Sequence, residues 1–257
     1  MPLVLITGAT GQVARGVLPI LGRRFDLRLL SPDAGESDPR HVRADLLDLD
    51  AITGAMLGVD AVLHLAKAPG HPGTFEDDAF NDLQFDVNVK GTHHVFEAAR
   101  RAGVRRVVCV SSLMVVWGYG ASGMVPGDAP PRPVGTYALT KALAEQVAGH
   151  FGRSSDLEAV ILRIAAPLDP DDPDLARSPV RPQQVPLPDL AEAFALALTV
   201  PLPHDEVPIV TIVGESSRRR WDLGPARRLL GFEPKIRLDD LGVSFADPFD
   251  VPPGSGK

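Results

Sequence analysis

The sequence predicts an α/β protein built on a doubly wound parallel sheet with helices on both faces. Three observations predict it. Short apolar runs rich in Val, Ile and Leu alternate with longer amphipathic segments from residue 3 to residue 213. The first run, Leu3-Val4-Leu5-Ile6-Thr7, passes directly into the glycine-rich turn Gly8-Ala9-Thr10-Gly11, where a helical pattern opens. That turn, Asp45, Ala66 and Ser111-Ser112 all stand at the C-terminal ends of predicted strands, where such sheets bind ligands.

The elements follow in order. Residues 3–6 form a strand apolar on both faces, and the helix after it has Val13, Val17, Leu18 and Leu21 as its apolar stripe. Gly8 and Gly11 let backbone N–H groups approach a bulky ligand. The helix opening at Gly11 presents its positive end to an anion, most simply a pyrophosphate. Ala14 is small enough to let the helix lie close on the strand. Gly-x-x-Gly-x-x-Ala is thus a dinucleotide-binding turn, with Gly8, Thr10, Gly11, Gln12 and Val13 as its candidate cofactor residues. Residues 27–30 are a second strand, ending at the turn Ser31-Pro32-Asp33. Residues 41–44 are a third, running into Asp45-Leu46, and 50–57 are weakly helical. Residues 60–66 are nearly all apolar and so central. A Pro/Gly-rich loop spans 67–74. A long helix is predicted over 80–102, with Leu83, Val87, Val95, Phe96 and Ala99 on one face and Gly103 as its stop. Residues 107–110 make the fifth strand, 113–133 are irregular, 136–151 are helical and 160–164 make the sixth strand. This is a Rossmann-like dinucleotide-binding domain over residues 1–165. Residues 166–188, rich in Pro and Asp, form a loop over the site. A helix (189–200), a strand (207–213), a helix (221–230) and a loose tail (252–257) complete a small C-terminal substrate lobe, 166–257.

Composition bounds the function. Hydrophobic residues at 44% and charged residues at 23% of 257 are those of an ordinary globular protein. The net charge of -7 speaks against nucleic acid or an anionic lipid surface as partner. A lone cysteine, Cys109, excludes an intrachain disulfide; it suits a reducing cytoplasm and sits in an apolar run as a packed core residue. No apolar run reaches the ~18 residues of a membrane span, no secretory signal opens the chain, and no metal site is predicted.

Tyr137 and Lys141 stand four apart on a predicted helix, hence on one face. A neighbouring ammonium favours the phenolate and would make the tyrosine a general base near neutral pH. The hydroxyls of Ser111 and Ser112 end the strand before this helix and are placed to orient a substrate oxygen.

Gly8-x-x-Gly11-x-x-Ala14, Asp45-Leu46, His64-Leu65-Ala66, Asn88-Val89-x-Gly91-Thr92, Ser111-Ser112 and Tyr137-x-x-x-Lys141 occur in the order and spacing of the extended short-chain dehydrogenase/reductases, the NAD-dependent epimerase/dehydratase family. The resemblance runs through Leu229-Leu230-Gly231-Phe232-x-Pro234. It implies Tyr137 as acid/base, Lys141 as its activator and ribose ligand, Ser112 as the substrate hydroxyl partner with Ser111 as fallback, and Asn88 as a brace behind the site. It implies Asp45 and Leu46 beside the adenine, and Leu65, Ala66 and Lys67 along the nicotinamide side. One departure matters. The second strand should end in an acidic residue that grips the ribose of NAD, and Ser31 stands there. Asp33 follows two residues later, and no arginine directly follows the strand; Arg15 is the nearest candidate for a 2′-phosphate. NAD is the expected cofactor, with NADP open.

Within the family the chain is similar to the compact uronate dehydrogenases, through Thr7 to Gln12 and through Arg132-Pro133-Val134-Gly135-Thr136-Tyr137 to Lys141. The short chain after the sixth strand argues for a small substrate. The resemblance implies an arginine for the substrate carboxylate after the sixth strand: Arg177, then Arg181. Asp171, Asp172 and Asp174 are alternative surface partners for Arg177. An epimerase, dehydratase or ketone reductase remains an alternative, as does a non-catalytic cofactor-binding regulator, against which the intact Tyr137 and Lys141 argue. A homodimer through the helices carrying Asn88 and Tyr137 is implied.

Overall fold

The computed structural model describes residues 1–33, 38–69, 77–120, 123–203 and 206–247. The strands are β1 (Leu3–Thr7), β2 (Asp26–Ser31), β3 (His41–Arg43), β4 (Ala61–His64), β5 (Arg106–Ser112), β6 (Glu158–Ile164), β7 (Pro167–Leu168), β8 (Val185–Pro186) and β9 (Ile209–Ile212). The helices are α1 (Gln12–Leu21), α2 (Leu49–Ala55), α3 (Asp78–Gln84), α4 (Gly91–Ala102), α5 (Thr136–Ser154), α6 (Leu187–Thr199) and α7 (Gly224–Leu230). Seven strands form one sheet in the order β3-β2-β1-β4-β5-β6-β9, every pairing parallel. The chain runs outward from β1 to β3, then crosses back to β4. The crevice between the carboxyl ends of β1 and β4 is the switch point where such sheets bind ligands.

Strand alternation divides the core. Ile6, Leu29, Leu63, Val108 and Val160 pack with Val17 and Leu21 of α1 and with Leu190 and Phe194 of α6. Their sequence neighbours Leu5, Leu30, Val62, Val107 and Ile161 face the other way, onto Ile52, Val95, Phe96, Ala148 and Phe151 of α2, α4 and α5. Both faces are covered, which is why the strands read as continuous apolar runs. Cys109 belongs to the second cluster, and burial raises its thiol pKa to about 11. Past residue 165 the chain returns to the sheet: α6 packs beside α1, and β9 adds the seventh strand. Residues 166–186 hold the small β7–β8 pair. The loop predicted over 67–74 is described only to residue 69, and the tail 252–257 lies outside the described residues. Among the described residues no helix is long and apolar enough to cross a membrane.

The helix predicted over 80–102 is three pieces. A π-helical segment, Phe85–Lys90, joins α3 to α4. Val95, Phe96 and Ala99 are buried as the apolar pattern suggested, but in the first half Phe80, Gln84, Asn88 and Thr92 are buried, while Leu83 and Val87 are half-buried. Polar side chains displaced the aliphatic ones because Asn88 and Thr92 have partners beneath the helix, as the site will show.

Arg163 of β6 and Glu145 of α5 form an ion pair that is essentially inaccessible, with side-chain exposures of 0% and 1%. The guanidinium meets both carboxylate oxygens, Nε to Oε1 at 2.8 Å and Nη2 to Oε2 at 2.6 Å. Its Nη1 donates to the Ala129 carbonyl at 2.5 Å. Glu145→Ala strands that charge in the core, so chemical denaturation should show about 3–5 kcal/mol of lost stability. Replacing both partners, Glu145→Leu with Arg163→Met, should recover much of that loss; a double variant no more stable than Glu145→Ala would refute the account.

Candidate active site

The glycine turn is fixed from three sides. Gly8 has φ +67°, and a Cβ there would lie 2.6 Å from Ala66 Cα, so the residue after β1 must be glycine for β4 to lie alongside. The Ala9 N–H donates to the Leu30 carbonyl at 3.2 Å, tying the turn to the end of β2. The Gly11 N–H donates back to the Gly8 carbonyl at 2.9 Å. Gly11 is the N-cap of α1 and supplies no side-chain cap, and the first turn has no acidic residue. The N–H groups of that turn, at Gln12 and Val13, therefore point at whatever anion lies over Gly8–Gly11. At the end of β2 the Ser31 hydroxyl is buried without a hydrogen-bond partner. An anion-binding turn beside an orphaned hydroxyl fits the pyrophosphate and adenosine ribose of a dinucleotide.

Leu46 is buried and held in place by close packing: a Cβ on Gly91 would lie 3.1 Å from Leu46 Cβ. The His94 Nδ1–H donates to the Leu46 carbonyl at 2.8 Å. Asp45 is exposed, and its carboxylate accepts from the Leu47 N–H at 2.9 Å. Asp33 is exposed in the turn after β2, Thr10 is half-buried and Leu65 is half-buried.

A directed chain of hydrogen bonds crosses beneath the switch point. The Thr92 hydroxyl donates to the Asn88 carbonyl at 2.6 Å, so it must accept from His64 Nε2–H at 3.0 Å. His64 is then neutral, and its Nδ1 accepts from the Thr7 hydroxyl at 2.7 Å. The Thr7 oxygen in turn accepts from the Ala66 N–H at 3.3 Å. Every donor and acceptor in the chain is used once in a consistent sense. Burial first, and the Lys141 charge second, hold the His64 pKa down to about 3. Asn88 makes the parallel link: its Oδ1 accepts from the Ala68 N–H at 2.8 Å and its Nδ2 donates to Thr140 Oγ1 at 3.0 Å. Thr140 donates to the Tyr137 carbonyl at 3.0 Å. The end of β4 and the first turn of α5 are thus held to one side chain.

At the end of β5 the Tyr137 phenol and the Ser112 hydroxyl are hydrogen-bonded. Burial pushes the Tyr137 pKa above the ordinary tyrosine value, and the Ser112 hydrogen bond, which stabilises the phenolate, opposes that rise. Lys141 is buried, and its Nζ donates to the Val110 carbonyl at 2.7 Å. Burial lowers its pKa; Cys109 and Glu145 oppose this, and Lys67 lowers it further. The Lys141 ammonium is aimed at the strand carbonyl, and Ser112 is the side chain hydrogen-bonded to the Tyr137 phenol. Ser111, the fallback substrate partner, is corrected. Its hydroxyl is buried and donates to Glu145 Oε1 at 2.6 Å, so it belongs to the Arg163 pair. Lys67, at the mouth of the site, is exposed, with Nζ donating to the Ala68 carbonyl at 3.3 Å, and desolvation lowers its pKa. Arg177 lies in a short 3₁₀ turn and pairs with Asp174 at 3.0 Å, with side-chain exposures of 78% and 57%. The half-buried Arg181 has its N–H on Gln184 Oε1 at 2.8 Å.

Sequence reasoning missed Glu145, Arg163 and Thr140. The available signal was charge inside apolar elements: Arg163 within the run 160–164 demands a buried carboxylate, and Glu145 is one helical turn beyond Lys141.

The chain through His64 predicts a pH dependence. The unfolded side chain titrates near 6.5. Below that pH the unfolded protein takes up a proton that the folded one refuses until about pH 3. The stabilisation is complete above pH ~6.5 and falls by about 1.4 kcal/mol per unit as pH drops toward 3. Urea midpoints measured from pH 7 to 4 should show this slope in the wild type and its absence in His64→Asn. Equal slopes in the two proteins would refute it.

A family model described as the NAD-dependent epimerase/dehydratase family matches residues 4–181. The NAD-dependent glucose-6-phosphate dehydrogenase of Haloferax volcanii is 27% identical over 253 residues, covering 90% of this chain and 92% of that protein. The uronate dehydrogenase of Pseudomonas syringae pv. tomato is 31% identical over 169 residues, covering 63% of this chain; the match spans 58% of that relative. Among solved structures, a short-chain dehydrogenase/reductase superfamily protein from Agrobacterium tumefaciens with bound NAD superposes with a TM-score of 0.73 at 26% identity, covering 93% of this chain and 94% of that one. The family match takes in the glycine turn, Ser112, Tyr137 and Lys141 at the switch point of one parallel sheet: the chain belongs to the NAD-dependent epimerase/dehydratase family.

Proposed function

We propose that this protein is an NAD-dependent oxidoreductase moving hydride to or from a hydroxyl-bearing carbon of a small, sugar-like substrate. The observation that carries this reading is the hydrogen-bonded Tyr137–Ser112 pair, with Lys141 buried one helical turn behind it. The relatives named as dehydrogenases of sugars support it. When bound, the nicotinamide supplies the hydride acceptor. Tyr137 takes the proton from the substrate hydroxyl, and Ser112 holds the same oxygen. The ammonium groups of Lys141 and Lys67 favour the phenolate once a ligand has displaced water from the crevice.

With an aldose or a uronic acid oxidised at its anomeric carbon, the product is a lactone. Arg177 is the proposed carboxylate ligand. Its exposed pair with Asp174 contributes little, so exchanging that partner for a substrate carboxylate costs little. Residues 166–186 and 213–247 are the proposed substrate lobe. A cytoplasmic homodimer is part of the reading: Phe85 and Leu139, each 42% exposed, stand on the neighbouring helical segments that carry Asn88 and Tyr137.

The test is NADH formation over a panel of aldoses and uronic acids. Net NADH with lactone product is the expected result; an isomerised sugar with no net NADH would replace this reading with an epimerase. Tyr137→Phe should lower turnover on the order of 10²-fold or more while the protein still binds NAD. Arg177→Ala should weaken uronates more than neutral aldoses, and Arg177→Lys should restore only part, because the planar fork is gone. Full activity in Tyr137→Phe would overturn the mechanism.

A further inference from the structure

We infer that Glu145 is a positioning residue for the Tyr137 chemistry and acts through two neighbours at once: its carboxylate is the counter-charge of the buried Lys141 ammonium and the anchor of the strand end that carries Ser112. The inference rests on the oxidoreductase reading of the site and goes beyond it. Tyr137, Lys141 and Glu145 are spaced by four on α5, so one face of the helix presents them on successive turns. All three meet consecutive residues of β5. Tyr137 is hydrogen-bonded to Ser112, the Lys141 Nζ donates to the Val110 carbonyl at 2.7 Å, and Glu145 Oε1 accepts from the Ser111 hydroxyl at 2.6 Å. The third contact ties down the residue directly before Ser112. Arg163, the register partner of Ser111 on β6, closes on the same carboxylate with Nε at 2.8 Å and Nη2 at 2.6 Å. The carboxylate is therefore held from the sheet as well as from α5.

Lys141 needs such a counter-charge. It is 3% exposed, and one carbonyl dipole does not replace the hydration of an ammonium. Burial drives it toward the neutral form, and a neutral amine no longer favours a phenolate at Tyr137. The titratable groups around it are Cys109 of β5, His64 of β4, Lys67 beyond β4, and Tyr137 and Glu145 on its own helix. Burial raises the Cys109 pKa to about 11, so that thiol is uncharged at neutral pH. His64 is neutral, with its pKa held down to about 3, and Lys67 repels the ammonium. While Tyr137 keeps its proton, Glu145 is the anion of this set, and its charge opposes loss of the Lys141 proton. Arg163 shares that carboxylate, so removing Glu145 alone leaves two buried cations without an anion.

The double variant Glu145→Leu with Arg163→Met separates this role from a merely structural one, because it removes the ion pair without stranding a charge. The readout is the pH profile of kcat with NAD and the aldose or uronate that the wild type oxidises, and NAD calorimetry checks that each variant is folded. The alkaline limb of that profile reports loss of the Lys141 proton. In the double variant the limb should move to lower pH by about one to two units, the effect of one nearby charge in a protein interior. Glu145→Gln, which keeps the shape and the acceptor for Ser111, should move it the same way. Ser111→Ala keeps the charge and frees the strand end, so the limb should stay in place while kcat falls about tenfold and KM for NAD stays within about twofold. A wild-type alkaline limb in a folded Glu145 variant, or wild-type kcat in Ser111→Ala, would overturn the inference and leave the Tyr137 reading intact. A wild type that oxidises no sugar of the panel, or full activity in Tyr137→Phe, would overturn the site reading, and this inference with it.

Discussion

The architecture of the site depends on one close approach, that of Gly8 to the backbone of Ala66. The two residues follow neighbouring parallel strands, β1 and β4, from which the chain winds outward in opposite directions across the sheet. Only a residue without Cβ, at φ +67°, lets the first turn fold over while β4 passes beneath it. Two consequences come from the same geometry. The crevice opens where the turn leaves the sheet, and the N–H groups of α1 converge on its floor. A side chain at position 8 would remove the strand contact and the anion seat together.

Around that contact, polar side chains replace aliphatic ones wherever two elements must hold a fixed distance. Asn88 joins Ala68 to Thr140, and His64 joins Thr7 to Thr92. Glu145 joins Ser111 to Arg163, and Arg163 reaches the Ala129 carbonyl. Apolar packing would fill these positions at similar stability, but it tolerates sliding. A network in which each hydrogen bond has one direction does not slide without leaving a buried group unsatisfied. Tyr137 and Ser112 therefore meet on a framework that the rest of the core cannot shift independently.

Much of this was legible in the sequence. The glycine turn, the central apolar strand before Ala66 and the Tyr137–Lys141 pair are local patterns, and local patterns survive folding. What was illegible depended on distance across the sheet. Ser111 and Ser112 are indistinguishable as neighbours; only Glu145, from another element, takes one of them out of the site. The direction of Lys141 was equally hidden, since its partner is a carbonyl of β5. An apolar helix pattern does not say which face of a sheet it covers, so the packing of α6 into one core with α1 was illegible too.

The π-helical turn over Phe85–Lys90 acts on the phase of the helix. In a regular α-helix, residues spaced by four advance about 40° around the axis at each step. Phe80, Gln84, Asn88, Thr92 and Phe96 would wind from the interior to the surface. All five are buried, because the wider turn lags the α rotation and resets the clock midway. The resetting gives Asn88 an inward heading that an unbroken helix would hand to a neighbour. A fourfold repeat of inward residues longer than three turns is therefore a sequence signature in its own right, marking a helix that has taken in one extra residue to keep a side chain pointed at the site.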